Sequence, residues 1–238
     1  MHLFIINSKN YFEAAGEKAL RLAGVIDSIT KEEKNSKAVK IVLAVPAFSV
    51  GQLSSEFRSI DYFCQHLDDH ELGSTTGFLI PEIAKSFGAS GSLINHSEHR
   101  IPSTSISHLV GRLRELALVS VVCARDGEEV SQFAEFEPDY IAIEPPELIG
   151  SGRAVSKTRP ELIVDSRKQL DAVVDRLKSK TKLLCGAGII DPIDATKAIE
   201  LGSEGILVAS GIIKSQDWRA SIQGLTNGLI AAKERRRV

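Results

Sequence analysis

The stretch Tyr140-Ile141-Ala142-Ile143-Glu144 is a continuous apolar run closed by an acid. A strand with one face in water alternates apolar and polar residues, whereas an unbroken apolar run is covered on both faces. Such strands belong to parallel sheets flanked by helices. Runs of the same kind recur on either side of it, at Leu3–Ile6, Val39–Val45, Ile60–Gln65, Gly91–Asn95, Leu116–Cys123, Lys182–Cys185 and Gly205–Val208. Between them apolar residues keep helical period. Leu22, Val25, Ile26 and Ile29 share one face, as do Ile106, Leu109, Val110 and Leu113, then Leu170, Val173, Val174 and Leu177, and finally Ile222, Leu225 and Leu229. Asp191-Pro192 predicts a helix start, an N-cap before a proline at the first helical position, and Leu201-Gly202 predicts that helix's end. Strand–helix alternation in eight units points to an α/β fold of the (β/α)8 barrel type, a single domain over residues 1–238. A doubly wound open sheet would want a glycine-rich fingerprint after the first strand, and Asn7-Ser8-Lys9-Asn10-Tyr11 is not one.

Composition argues for no unusual partner. The 238 residues are 43% hydrophobic and 25% charged with a net charge of −2, so neither nucleic acid nor an anionic membrane is expected. The basic tail Lys233-Glu234-Arg235-Arg236-Arg237 reads as the solvated end of a last helix, where cations suit the helix dipole. Cys64, Cys123 and Cys185 are odd in number, outside any CxxC and set in apolar runs. They read as small core residues in a reducing compartment. Met1–Ile6 reads as a strand, since it lacks the basic flank and cleavage site of a signal peptide. No apolar run reaches the roughly 20 residues of a membrane span. The expected location is the cytoplasm.

In barrels of this type chemistry sits at the C-terminal ends of the strands. The residues there are Asn7 and Lys9 after the first strand, Asn95-His96 after the fourth and Glu144 after the sixth. Gly186-Ala187-Gly188 and Ala209-Ser210-Gly211 follow the seventh and eighth. An amine, an imidazole, a carboxylate and two small-residue turns suit a small anionic substrate undergoing proton transfer. A carboxylate closing a buried strand is expensive unless paired or functional. Lys9 supplies a point charge for an oxyanion or phosphate. The turns after the last two strands are where many barrels bind phosphate through backbone N–H groups. In Leu93-Ile94-Asn95-His96-Ser97-Glu98 a buried strand delivers a histidine before a Ser-Glu pair able to open a helix. The free N–H groups and positive end of that helix would favour the uncharged imidazole as a hydrogen-bond donor. Pro145 to Val155, proline-rich at one end and glycine-rich near its tip, suits a hinged lid. His66 and His70 have metal-like spacing, but Asp68-Asp69 and Gly73 argue for a loop, and no metal is expected.

Together these motifs resemble triosephosphate isomerase of the short archaeal type, along nearly the whole chain. The resemblance rests on Asn7-x-Lys9 with Tyr11 and Glu13, Gln65-His66, Gly73-Ser74-Thr75-Thr76-Gly77, and Leu93 to Glu98 with Arg100. It continues through Pro138-Asp139-Tyr140 and Glu144-Pro145-Pro146-Glu147-Leu148-Ile149-Gly150 to Ser156-Lys157, Cys185 to Ile189 and Val208 to Gly211. It implies a TIM barrel that interconverts dihydroxyacetone phosphate and D-glyceraldehyde 3-phosphate, in glycolysis and gluconeogenesis, with no cofactor and no metal. By the resemblance Glu144 is the base, neutral His96 the donor to the carbonyl and enediolate oxygens, and Lys9 the charge stabiliser, with Asn7 beside it and Glu98 as a supporting carboxylate. It places Asn7, Ser8, Lys9, Ile149, Gly150, Gly188, Ala209 and Ser210 against substrate or phosphate. It also implies a homotetramer or homodimer, in which the loop Leu67–Leu79 reaches a neighbouring subunit and brings Thr76 near its site. Ser8 departs from the aromatic usual between the asparagine and lysine, His99, Ser151 and Phe78 depart too, and none removes a catalytic group.

Two other readings stand beside this one. Another phosphosugar isomerase on the same barrel would need an Asp or Cys acid/base pair, and a phosphate-binding scaffold would not need Lys9, His96 and Glu144 together.

Overall fold

Eight parallel strands close on one another in sequence order in the computed structural model, which describes residues 1–32, 38–148 and 154–235. They are β1 (His2–Asn7), β2 (Val39–Val45), β3 (Asp61–Cys64), β4 (Ala89–Ile94), β5 (Val119–Ala124), β6 (Tyr140–Ile143), β7 (Lys182–Cys185) and β8 (Gly205–Val208). β8 pairs with β1, Leu3 opposite Gly205, so no sheet edge is left open. The helical layer is α1 (Glu17–Glu32), α2 (Ala47–Glu56), α3 (Pro81–Ser86), α4 (Ser103–Glu115), α5 (Gly127–Ala134), α6 (Val155–Thr158), α7 (Pro160–Leu177), α8 (Pro192–Glu200), α9 (Ser210–Ile213) and α10 (Trp218–Arg235). α10 carries part of the basic tail; Arg236 and Arg237 lie outside the described residues.

The two-residue period of a strand sorts the apolar side chains into two cores. Leu3, Ile5, Val42, Ala44, Phe63, Leu93, Val121, Cys123, Ala142, Leu184 and Leu207 fill the barrel interior. Their neighbours Phe4, Ile6, Leu43, Tyr62, Ile94, Val122, Ile141, Ile143, Leu183 and Ile206 point outward, and the periodic faces of the helices cover them. Leu22, Ile26, Ile106, Leu109, Leu170, Ile222, Leu225 and Leu229 are all buried there. Each large side chain removed from water contributes roughly 1.5–3 kcal/mol. That double coverage is why the strands read as unbroken apolar runs.

Strand bounds agree with the sequence reading at Val39–Val45, Tyr140–Ile143, Lys182–Cys185 and Gly205–Val208. The first, third and fourth shift by one or two residues at their ends, and the fifth differs most. Leu116 caps α4, Ala117 turns left-handed with φ 53°, and Leu118 N–H reaches back to Leu113 O at 2.8 Å. The apolar run is thus shared between a helix end and the strand, which starts at Val119. α8 starts and stops as its sequence predicts. Asp191 and Asp194 form a capping box, and at the other end Ser203 N–H reaches Ala198 O at 3.1 Å around left-handed Gly202. All three cysteines are free and buried, and burial pushes the Cys64 and Cys185 thiols up to about 12. Among the described residues no helix is long and apolar enough to cross a membrane.

Candidate active site

The inward column of side chains continues past the strand ends. Beyond Ile5, Ala142, Leu184 and Leu207 the next inward positions are Asn7, Glu144, Gly186 and Ala209, and all four line one cavity at the C-terminal mouth. The cavity, of about 40 Å³, is also lined by Lys9, His96, Gly188 and Ser210. A larger neighbour of about 530 Å³ shares Asn7, Lys9, Tyr11 and His96 with it, and adds Gln65, Glu98 and His99.

His96 and Lys9 reach the mouth because the backbone just before or at each turns left-handed. Asn95 has φ 63° and Lys9 has φ 45°. By strict alternation His96 would follow Ile94 toward the helical layer; the kink at Asn95 redirects it. Asn95 Nδ2 donates to Cys123 O at 3.1 Å, and its Oδ1 accepts from Ile101 N–H at 3.1 Å. Ser97-Glu98 do not open a helix. They form a turn in which His99 N–H donates to His96 O at 2.8 Å, and α4 begins only at Ser103. Pro102 is the reason: its ring excludes helical backbone at Ile101 and it has no N–H to give. The turn still supplies what the helix was expected to supply. Glu98 N–H donates to His96 Nδ1 at 3.2 Å, so the ring proton sits on Nε2. That nitrogen lies 3.6 Å from Glu144 Oε1.

Lys9 is held from three sides. Its N–H donates to Asn7 Oδ1 at 2.9 Å, its carbonyl accepts from Gln65 Nε2 at 3.0 Å, and its Nζ pairs with Glu98 Oε1 at 2.7 Å. The Glu98 side chain is 58% exposed while that of Lys9 is 12% exposed, so the pair sits at the rim. Ser8 is buried and lines neither cavity; its N–H goes to Ala44 O and its Oγ to Lys9 O.

Glu144 is 4% exposed. Its N–H continues the ladder to Ala124 O at 2.8 Å, while its side-chain Oε2 has no hydrogen-bond partner among the described residues. The room it occupies exists because residue 186 is glycine: a Cβ there would stand 2.4 Å from Glu144 Cγ. Cys123 lies against the carboxylate, and burial together with that negative charge pushes its thiol well up.

Gly188, with φ 70°, and the Ala209-Ser210 start of α9 line the same cavity as Lys9, after the strands where the sequence placed them. Ile149 and Gly150 lie outside the described residues. The C-terminal flank of that segment is tied down: Val155 N–H donates to Ala187 O at 3.2 Å, and Lys157 Nζ pairs with Asp191 and Asp194 at 2.9 and 2.7 Å. His66 stacks on His99 with ring centroids 3.9 Å apart and His70 on Phe78 at 3.6 Å. Among the described residues no cluster of three metal-ligating side chains occurs.

Sequence reasoning placed Asn95 and Gly186 at the strand ends but assigned no separate role to either, and it gave Gln65 none. The signals were present. Asparagine tolerates the left-handed backbone, and a glycine two positions after an inward leucine leaves a gap in the inward column.

A family model described as triosephosphate isomerase matches residues 2–225. The chain is 47% identical over 230 residues to a triosephosphate isomerase of Cenarchaeum symbiosum, covering 95% of this chain and 97% of that one. It is 40% identical over 226 residues to the triosephosphate isomerase of Archaeoglobus fulgidus, with 94% and 97% covered. With that of Sulfurisphaera tokodaii it shares 39% over 235 residues, 99% and 98% covered. A match of this extent, on a closed barrel whose mouth holds the expected amine, imidazole and carboxylate, places the chain in the triosephosphate isomerase family.

Proposed function

We propose that Glu144, His96 and Lys9 carry the interconversion of dihydroxyacetone phosphate and D-glyceraldehyde 3-phosphate in this chain, serving glycolysis and gluconeogenesis. Glu144 takes a proton from the carbon beside the carbonyl, and the electron pair moves through the new carbon–carbon double bond onto the carbonyl oxygen. His96 Nε2–H donates to that oxygen, and Lys9 offsets the charge of the enediolate. Glu144 then returns the proton to the neighbouring carbon while the hydroxyl proton passes, by way of His96 Nε2, from the first oxygen to the former carbonyl oxygen, so that hydroxyl and carbonyl exchange places. Base and neutral-histidine roles of this kind are the family's established ones. Asn7 sets the Lys9 backbone, and Glu98 holds the amine at the rim until substrate arrives. Gly188, Ala209 and Ser210 take the phosphate through backbone groups, with Ile149 and Gly150 of the lid closing over it and excluding water. Ser8 contributes through the Lys9 carbonyl.

The observation that carries this reading is the approach of His96 Nε2 to Glu144 Oε1, 3.6 Å across the mouth from strands β4 and β6. A coupled assay of glyceraldehyde 3-phosphate conversion, run on wild type beside Glu144→Gln and His96→Gln, tests it. Fast turnover lost in both variants supports the roles; a folded wild-type protein with no turnover would return the scaffold reading.

We also propose one domain over residues 1–238, placed in the cytoplasm and self-associated as a homotetramer or homodimer. The loop supports association: Leu72, Phe78 and Leu79 are exposed, and Asp68 closes its base by accepting from Leu79 N–H at 2.7 Å. Thr76 at its tip is then near the partner's site.

A further inference from the structure

We propose that Asn95 is a positioning residue that aims His96 and sets its tautomer. The proposal rests on the reading of His96 as the donor to the substrate oxygen. Asn95 follows Leu93 on the inward side of β4 and is 1% exposed. Its left-handed backbone, φ 63°, breaks the alternation that would send His96 outward. Among side-chain-bearing residues asparagine is one of the few that accept this conformation readily.

The carboxamide then locks the turn at both ends. Its donor end holds Cys123 O at the end of β5, 3.1 Å away, and its acceptor end takes Ile101 N–H, also at 3.1 Å. One side chain thereby joins the residue before His96, the residue after Arg100 and the neighbouring strand. The outer edge is held separately: Arg100 pairs with buried Glu129, which also accepts Arg125 N–H at 2.9 Å. Inside this clamped turn Glu98 N–H is held against His96 Nδ1 at 3.2 Å, leaving the ring proton on Nε2. Glycine at position 95 would keep the backbone conformation and lose both side-chain bonds. A bulky apolar residue would keep neither.

Asn95→Gly separates these functions. The variant folds with a wild-type circular dichroism spectrum, its kcat falls about ten- to a hundredfold, and its KM stays within about twofold, because misplacement by ~1 Å of a catalytic group costs up to about a hundredfold. Nitrogen-15 spectra of the histidine-labelled protein show His96 as a single Nε2–H tautomer in wild type and as a mixture in the variant. A merely structural role would move stability and not this signature. A folded Asn95→Gly with wild-type kcat and an unchanged tautomer overturns the proposal. Should the variant not fold, hydrogen exchange on wild type decides: protection of the Ile101 amide, whose acceptor is the Asn95 side chain, supports the clamp, and unprotected exchange overturns it. His96→Gln, assayed alongside, keeps the two readings apart. An inactive His96→Gln with an unaffected Asn95→Gly removes only the positioning role, while an active His96→Gln removes the reading beneath it.

Discussion

The ends of β4 and β6 deliver the two groups that face each other across the barrel mouth, and they do so by opposite means. At the end of β4 hydrogen bonds hold the turn: Asn95 bonds Cys123 O and Ile101 N–H, and His96 Nδ1 and carbonyl both accept backbone N–H groups. At the end of β6 space does the holding. Glu144 sits in the gap left by Gly186, with Oε2 unbonded among the described residues. A donor is useful only when its direction is set in advance. A base that must collect a proton from carbon and return it to a neighbouring carbon needs a free lone pair and room to move. A buried unpaired oxygen costs about 1–3 kcal/mol of stability, and the proposed base carries that cost at Oε2.

That contrast can be broken first at Glu144, the proposed base. Glu144→Gln keeps the shape and removes the proton acceptor, and kcat is expected to fall by about 10³–10⁴ with little change in KM, read from steady-state rates. A kcat within tenfold of wild type would sink the assignment. Gly186→Ala attacks the space instead. Its Cβ would stand 2.4 Å from Glu144 Cγ, so the base must shift, and kcat is expected to drop about a hundredfold. If Gly186→Ala turns over normally, the gap does not position Glu144.

A second carboxylate sharpens the comparison. Asp27 is buried like Glu144 but fully bonded, accepting from Lys31 Nζ at 2.6 Å and from Ser59 Oγ. Burial alone would raise its pKa, yet the bonds from Lys31 and Ser59 hold it below the usual carboxylate value. A depressed folded pKa gives stability that is fully present above the unfolded value and lost as pH falls through the folded one. Asp27→Asn is therefore expected to cost about 1 kcal/mol at pH 7 and less below about pH 4, measured by urea denaturation at both. An equal cost at both would show that the charge contributes nothing.

The smallest effect compares two left-handed residues. Asn95 and Ala117 have φ 63° and 53°. Asparagine offsets the strain with two side-chain bonds, and alanine has none to make. Glycine at 95 is expected to cost activity, whereas Ala117→Gly is expected to raise stability by about 0.5–1 kcal/mol, seen as a higher urea midpoint with an unchanged slope. A lower midpoint would mean that the unfolded chain's added freedom outweighs the relieved strain.

Barrel class, eight strands and the strand-end groups Lys9, His96 and Glu144 were legible in the chain because their signals are short-range. Unbroken apolar runs, helical period and a polar residue closing a strand are each read within a few residues. The errors were local too, and arose where two elements shared one signal. Leu116 to Cys123 is apolar throughout, yet its first residues finish α4. Ser97-Glu98 looks like a helix start, and Pro102 postpones the helix to Ser103. Closure of the barrel decided the rest. Closure sets residues far apart in the chain around one mouth, while the pairing of β6 with β7 gives Glu144 its room beside Gly186 and the pairing of β4 with β5 brings Asn95 to Cys123. Those distances follow from tilt, register and backbone handedness summed around eight strands, and no window of sequence contains that sum.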